Sequence, residues 1–256
     1  MTVPVRTQLS ILEDQFAAGV LGYPVWGLKL DGLPEIEVAK VWEKLLQQAG
    51  GERGVAYSKA RVGDAGLNAW LAAQGGRLVD TNVQLQTTSS PLYSLLIRGV
   101  IFRFAESSDE ESVSKIAHTS FPCSRWHRDE LISPEQADAL KEEWARNFWR
   151  GERGDYMIVA ECDGRVVGFH QVVRQDRETL LVDLIAVDQD FRGRGIGAGL
   201  VRYAIEHCGP LHRMLVGTQL MNRVSLAMYL RCGFHIISAR HIWHLHFPAR
   251  GGIKVK

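Results

Sequence analysis

The residues of this chain best suited to chemistry lie in Arg192-Gly193-Arg194-Gly195-Ile196-Gly197-Ala198, a run between an apolar segment and an amphipathic one. At a helix start the first N–H groups have no intrahelical partner, and the helix dipole adds partial positive charge. Glycines let an oxyanion approach such a backbone closely, and Arg192 and Arg194 add charge. The run is expected to hold a phosphate or pyrophosphate; taken alone, it also reads as a solvated coil. Its spacing excludes two other anion loops. A P-loop needs Lys-Ser/Thr after its last glycine, where this chain has Ala198-Gly199, and the dinucleotide fingerprint needs G-x-G-x-x-G, which Gly193, Gly195 and Gly197 do not form. Further along, Asn222 and Tyr229 stand about two helical turns apart, on one face of a stretch that Gly233 stops. That stretch also reads as a plain core helix, with Leu226 and Leu230 inward and Tyr229 as a packed aromatic.

These residues need elements to place them. Residues 180–187 are nearly continuously apolar and read as a buried strand. Residues 198–207 carry Leu200, Val201, Ala204 and Ile205 at helical spacing. Upstream, 100–104 reads as a strand. Ser107-Ser108-Asp109 before Glu110-Glu111 reads as a helix N-cap with acids in the first turn, and Val113, Ile116 and Ala117 carry that helix to Phe121-Pro122. A second helix runs from Ser133-Pro134 to Asn147, and 156–160 and 166–173 form a hairpin around Asp163-Gly164. Strand 214–218, the Asn222/Tyr229 helix and a strand from Phe234 complete the order β-α-α-β-β-β-α-β-α-β. Thr87-Thr88-Ser89-Ser90-Pro91 reads as a linker. Two domains are expected, 1–90 and 91–256. In the first, 35–48 reads as a helix, 55–58 as a strand, 67–73 as a helix ended by Gly75-Gly76, and 78–85 as a strand.

Arg192, Gly195 and Gly197 fit the R/Q-x-x-G-x-G/A loop of the GNAT acetyltransferases, and Asn222-Arg223-Val224-Ser225 through Tyr229 to Gly233-Phe234 resembles that family's Asn-x-x-(Ala/Ser)-x-x-x-Tyr-x-x-x-Gly-Phe signature. The resemblance implies an α/β (α+β) fold, the GNAT fold, with a central mixed, splayed sheet flanked by helices. It implies acetyl-CoA as cosubstrate, its pyrophosphate on residues 192–198, including Ile196 and Ala198, and its pantetheine arm on Asn222 and on the strand at Ile185, Ala186 and Val187. A backbone N–H from Ala186 or Val187 would polarise the thioester. Tyr229, a phenol of ordinary pKa about 10, would protonate the leaving thiolate. The first ninety residues lack the Arg-Gly loop, so no CoA is expected there; they read as a reduced GNAT-like domain shaping the substrate side, or as a stabilising extension.

A narrower resemblance follows from Ser120-Phe121-Pro122-Cys123-Ser124-Arg125-Trp126, from Trp144-Ala145-Arg146-Asn147 with Gly151, and from Thr218-Gln219-Leu220-Met221-Asn222. These segments look like the dTDP-4-amino-4,6-dideoxygalactose N-acetyltransferases, in which a small domain also precedes the GNAT domain; here Trp126 stands where that family has Phe. The resemblance implies a nucleotide-linked amino sugar as acceptor, met by Phe121, Ser124, Arg125, Trp126, Trp144, Asn147 and His170, with Arg125 on a nucleotide phosphate and Trp126 or Trp144 stacked on a base or sugar. Period-two alternation would put Asp183 on the face of Ile185 and Val187. Asp183 or His170 could relay the amine's proton, or a weakly basic sugar amine could need no base. The alternatives are acetylation of a protein N-terminus, a lysine or a small amine, and a CoA-binding module without turnover; homodimerisation stays open.

The global numbers agree with a cytoplasmic enzyme. Across 256 residues the formal net charge is +1, so nothing points to nucleic acid or a membrane surface. No apolar run approaches the length of about 20 residues needed to cross a bilayer. Cys123, Cys162, Cys208 and Cys232 are scattered and expected to be reduced thiols. His235, His241, His244 and His246, alternating with Ile242, Trp243 and Leu245, suggest one solvent-facing side of the last strand and no metal site.

Overall fold

The computed structural model describes residues 10–88, 97–209 and 213–247, which form two compact units. The first draws on Met1–Asn82, Arg128–Leu131 and Ala239–Lys256, the second on Val83–His127 and Ile132–Ser238. Ser89-Ser90-Pro91 of the expected linker lie outside the described residues, and Thr87 is a strand residue, 1% exposed. The chain passes between the units within β4 (Arg77–Thr87), on either side of Arg128–Leu131, and within β10 (His235–Phe247).

The first unit holds β1 (Ile11–Glu13), α1 (Gln15–Leu21), β2 (Val25–Leu28), α2 (Glu35–Ala49), β3 (Gly54–Arg61) and α3 (Ala65–Ala73). The reading from sequence has no counterpart for β1, α1 or β2. Asp14 starts α1 by accepting from the Ala17 N–H, and Gly22 ends it in the left-handed region. Strand β2 pairs parallel to β3, and β3 pairs antiparallel to β10 from Arg61–Arg240 to Gly54–Phe247. Val38, Val41 and Leu45 of α2 and Leu67 and Leu71 of α3 pack with Trp243, Leu245 and Phe247 in one core.

The second unit has the expected order: β5 (Val100–Phe104), α4 (Glu110–Thr119), α5 (Pro134–Arg146), β6 (Tyr156–Cys162), β7 (Arg165–Arg174), β8 (Thr179–Val187), α6 (Ile196–His207), β9 (Arg213–Gln219), α7 (Arg223–Arg231), then β10. Ser107–Asp109 is a 3₁₀ turn ahead of α4 rather than a simple cap. Ser133 caps α5 reciprocally with Gln136, with Pro134 in the first turn. The β6–β7 turn has Asp163 at φ 50° and Gly164 at φ 73°, the left-handed pair of a tight hairpin. Strands run β9-β8-β7-β6-β5, antiparallel except for the parallel β8–β9 pair. One face carries α6, whose Leu200, Val201 and Ala204 pack on Ile158, Val172, Leu180 and Val182. The other carries α4 and α5, whose Val113, Ile116 and Ala145 pack on Met157, Val159 and Phe169. Full burial of such side chains contributes about 1.5–3 kcal/mol each.

Candidate active site

Two irregularities in β8 build the site. Against β7 the register runs Gly168–Val187 to Gln171–Leu184, then jumps to Val172–Val182, so Asp183 is an extra, bulged residue. The bulge breaks the period-two expectation. Leu180 and Val182 face the α6 core, Ile185 and Val187 pack on that same core, and Asp183 and Leu184 both turn to the α4–α5 side. Asp183 therefore does not share a face with Ile185 and Val187. Against β9 the pairing runs only from Thr179–Arg213 to Val182–Val216, although both strands continue. Beyond that point β8 and β9 splay, and the edge of Asp183–Val187 away from β7 is no longer paired with β9.

The chain after β8 forms the Arg-Gly loop that leads into α6. Gly193 and Gly195 stand at φ 79° and 83°, where other residues are strained. Gly195 caps α6 without a side chain, and the first helical bond runs from the Gly199 N–H to the Gly195 carbonyl. The N–H groups of Ile196, Gly197 and Ala198 are thus the orphan donors of the first turn. Gly197 has a further reason. A Cβ there would lie 2.8 Å from Met228 Sδ, so its bareness also lets α6 pack against the Met228 side chain of α7. Arg192 donates through Nε to the Val187 carbonyl at 2.9 Å, and Arg194 lies over Phe191.

On α7, Asn222 is the N-cap, its side-chain oxygen accepting from the Ser225 N–H at 3.2 Å, which leaves its amide NH₂ as the donor end. Tyr229 is 2% exposed, edge-on to Phe234, and the only buried residue of its helix. Burial holds its hydroxyl well above the ordinary tyrosine range, so it stays protonated across the working pH range.

The acceptor-side residues are brought together only in part. Trp144 donates its ring N–H to Asp183 at 2.8 Å, and Lys141 Nζ lies 4.6 Å from the Trp144 ring centre and 5.2 Å from that of Phe121. Arg153 grips both Asp183 oxygens, at 2.7 and 2.5 Å, and Gln171 reaches the same carboxylate at 3.4 Å. With its side chain 3% exposed and both oxygens engaged, Asp183 is an anchor for Trp144 and Arg153 rather than a base awaiting a proton. Trp126 is 2% exposed under the Arg125 guanidinium, 4.1 Å above its ring, so it offers no stacking face to a ligand. Asn147, 5% exposed, caps α5 and takes the Glu152 and Arg153 N–H groups on its carbonyl. The Ser124 hydroxyl meets His127 Nδ1 at 2.7 Å, and His127 Nε2 meets Asp138 at 2.9 Å. His170 is fully buried on the α6 side, its Nδ1 on the Leu200 carbonyl, and burial pushes it down to about 4. It is neutral and too weak a base to collect an amine proton. Lys141, Arg153 and Gln171 escaped the sequence reading. The one available hint is that Lys141 stands three residues before Trp144, on one helix face.

The histidines of β10 depart from expectation. His244 is fully buried, and both its Nδ1 and His246 Nε2 lie 2.6 Å from one Asp129 oxygen. Strand β10 is thus buried on both sides there. Burial would raise the Asp129 pKa, but the two imidazole hydrogen bonds outweigh it and hold the carboxyl below its usual range. These three could chelate a cation, yet their separations are those of hydrogen bonds. His241 pairs with Thr81, and exposed His235 with Gln86.

A mixed sheet with a bulged central strand that parts from its neighbour, an Arg-Gly helix-start loop after it and a Tyr-bearing helix following β9 define the GNAT fold. Residues 120–234 match the acetyltransferase (GNAT) family model. The chain is 34% identical over 142 residues to the spore coat polysaccharide biosynthesis protein SpsD of Bacillus subtilis (strain 168), covering 55% of this chain and 48% of that protein. It is 24% identical over 260 residues to the mycothiol acetyltransferase of Mycobacterium sp. (strain MCS), covering 91% and 82%. In fold it resembles the GCN5-related N-acetyltransferase of Sphaerobacter thermophilus, with a TM-score of 0.64 at 14% identity over 96% of this chain and 77% of that one. It spans about half the length of SpsD. No helix among the described residues is long and apolar enough to cross a membrane.

Proposed function

We propose that this protein moves the acetyl group of acetyl-CoA to the amino group of a nucleotide-linked amino sugar. The observation that carries the donor half is the splay of β8 from β9 after Val182–Val216, directly before the Arg192–Ala198 loop. The orphan N–H groups of α6 suit a pyrophosphate, and the open edge at Ile185, Ala186 and Val187 suits the amides of a pantetheine arm. Acetyl-CoA supplies the activated acyl group. The protein positions it, offers the Ala186 or Val187 N–H to the developing oxyanion, and presents Tyr229 as proton donor to the departing sulfur. With Asp183 tied to Arg153 and His170 held near pKa 4, neither of the two expected bases is competent. The amine must arrive neutral, which suits a sugar amine flanked by electron-withdrawing oxygens better than a lysine.

The acceptor half is supported by the aromatic and cationic recess around Trp144 and by the 34% identity to a protein named for spore coat polysaccharide biosynthesis. The test is a panel of nucleotide-linked amino sugars, free amino sugars, polyamines and lysine peptides, incubated with acetyl-CoA while free thiol is read. Turnover confined to the sugar nucleotides supports the reading. Preference for peptides or polyamines, or acetyl-CoA binding without thiol release from any amine, overturns it.

A further inference from the structure

Lys141 is a poor choice for a packing residue. It projects from α5 into a slot between the Phe121 and Trp144 rings, where Leu or Met would bury without a charge. Around it stand Arg125, from the loop before α5, Arg153, from the loop after it, and the Asp183 carboxylate on the β8 bulge. That carboxylate is already committed to Arg153 and Trp144. Contacts with aromatic faces partly compensate an ammonium but do not neutralise it.

We infer that this recess receives an anionic phosphate or diphosphate group of the acceptor, with Lys141 as its principal ligand and Arg125 beside it, so that Lys141 selects a phosphorylated acceptor over a neutral sugar amine. The inference rests on the acceptor reading above and names the residue that enforces it. Among the described residues Lys141 has no ion-pair partner of its own, and a diphosphate supplies the negative charge beside it. The state of Lys141 agrees. Burial first, then repulsion from Arg125 and Arg153, push its pKa down to about 8, with Asp183 only partly opposing them. A bound anion reverses that balance and favours the ammonium.

The experiment is a calorimetric titration of inorganic pyrophosphate, and separately of UDP and dTDP, into enzyme saturated with CoA, so that the 192–198 loop is already filled. Wild-type protein should bind pyrophosphate at pH 7 and lose affinity between pH 7.5 and 9 as Lys141 deprotonates. Lys141→Met should weaken binding at least tenfold and lose that pH dependence, with CoA affinity unchanged. Lys141→Arg, which keeps the charge, should retain most of it. The Met side chain fits the aromatic slot, and a melting temperature at or above wild type certifies its fold. Equal pyrophosphate affinity in Lys141→Met and wild type, or no binding to the CoA-loaded wild type, overturns the inference. The two proposals fail separately. Acetylation of a nucleotide-linked sugar with unchanged kcat/KM in Lys141→Met sinks the inference and leaves the function standing. Lys141-dependent pyrophosphate binding without acetylation of any sugar nucleotide does the reverse.

Discussion

Asp183→Asn separates anchoring from base catalysis. The two side chains have nearly the same shape, so the change removes charge and one acceptor and opens no cavity. The wild-type carboxylate accepts two bonds from Arg153 and one from Trp144, with Gln171 at longer range, and is almost wholly enclosed. Bonds to a charged group are worth about 1.5–3 kcal/mol each, against about 0.5–1.5 for neutral ones. The asparagine keeps one oxygen, which can serve Trp144, but turns an NH₂ toward Arg153. Arg153 is 43% exposed and can turn to water, so its own loss is discounted, and the desolvation cost of the buried carboxylate is recovered. The net destabilisation should be about 2–3 kcal/mol, or roughly 4–12 °C in melting temperature for a chain of this size. The assay is thermal and urea unfolding beside a pH–rate profile. An anchor gives the stability loss, a raised KM for the acceptor as Trp144 loosens, and a pH–rate profile of unchanged shape. A melting temperature within 2 °C of wild type, with kcat down about 10²- to 10⁴-fold and the acidic limb of the profile gone, is what a base would give. That result would refute the anchoring argument.

Three further outcomes are expected. Tyr229→Phe keeps the ring in its core and removes only the hydroxyl, so kcat should fall about 10²-fold, the low end for general acid catalysis because a thiolate leaves readily, with acetyl-CoA affinity nearly unchanged by equilibrium binding. Lys141 has a folded-state pKa of about 8 against 10.5 for the unfolded chain, so the unfolded state holds more protons between those values and stability should rise with pH across that window, by at most about 3 kcal/mol. Urea midpoints from pH 7.5 to 10.5 should show this rise in wild type and not in Lys141→Met. Asp129→Asn removes the oxygen shared by two enclosed imidazoles and should destabilise by about 3–5 kcal/mol, read by hydrogen exchange as faster opening of β10 at His244–Phe247.

Much of the second unit was legible because its signals are local. The left-handed Asp163-Gly164 pair, the reciprocal Ser133–Gln136 cap and Gly233 at φ 84° are written in adjacent residues. The left-handed turns of the Arg-Gly loop were legible for the same reason, while the contact of Gly197 with Met228 on another helix was not. What escaped depends on a partner distant in sequence. The Asp183 bulge exists only against β7, and an isolated strand of Leu, Val, Asp, Leu and Ile gives no sign of where its alternation will slip. His244 looked solvent-facing because imidazole beside apolar neighbours implies an exposed side, but Asp129, 115 residues away, supplies the buried counter-charge. Strands β1 and β2, of three and four residues, are too short to show a period.

The pairing of β3 with Arg240–Phe247 sets a timetable for the newborn chain. Residues 54–61 are made well before their neighbour, with all of β5 to α7 between them, so this pairing has a long loop to close. Emerging from a ribosome, its α2 and α3 would wait with Val41, Leu45 and Leu71 uncovered until the last strand arrives, while β5 to α6 of the second unit can already assemble from near neighbours. A product interrupted between α7 and Arg240 should therefore keep its Arg-Gly loop ordered and expose the apolar faces of α2 and α3, which is where a chaperone would be expected to hold it.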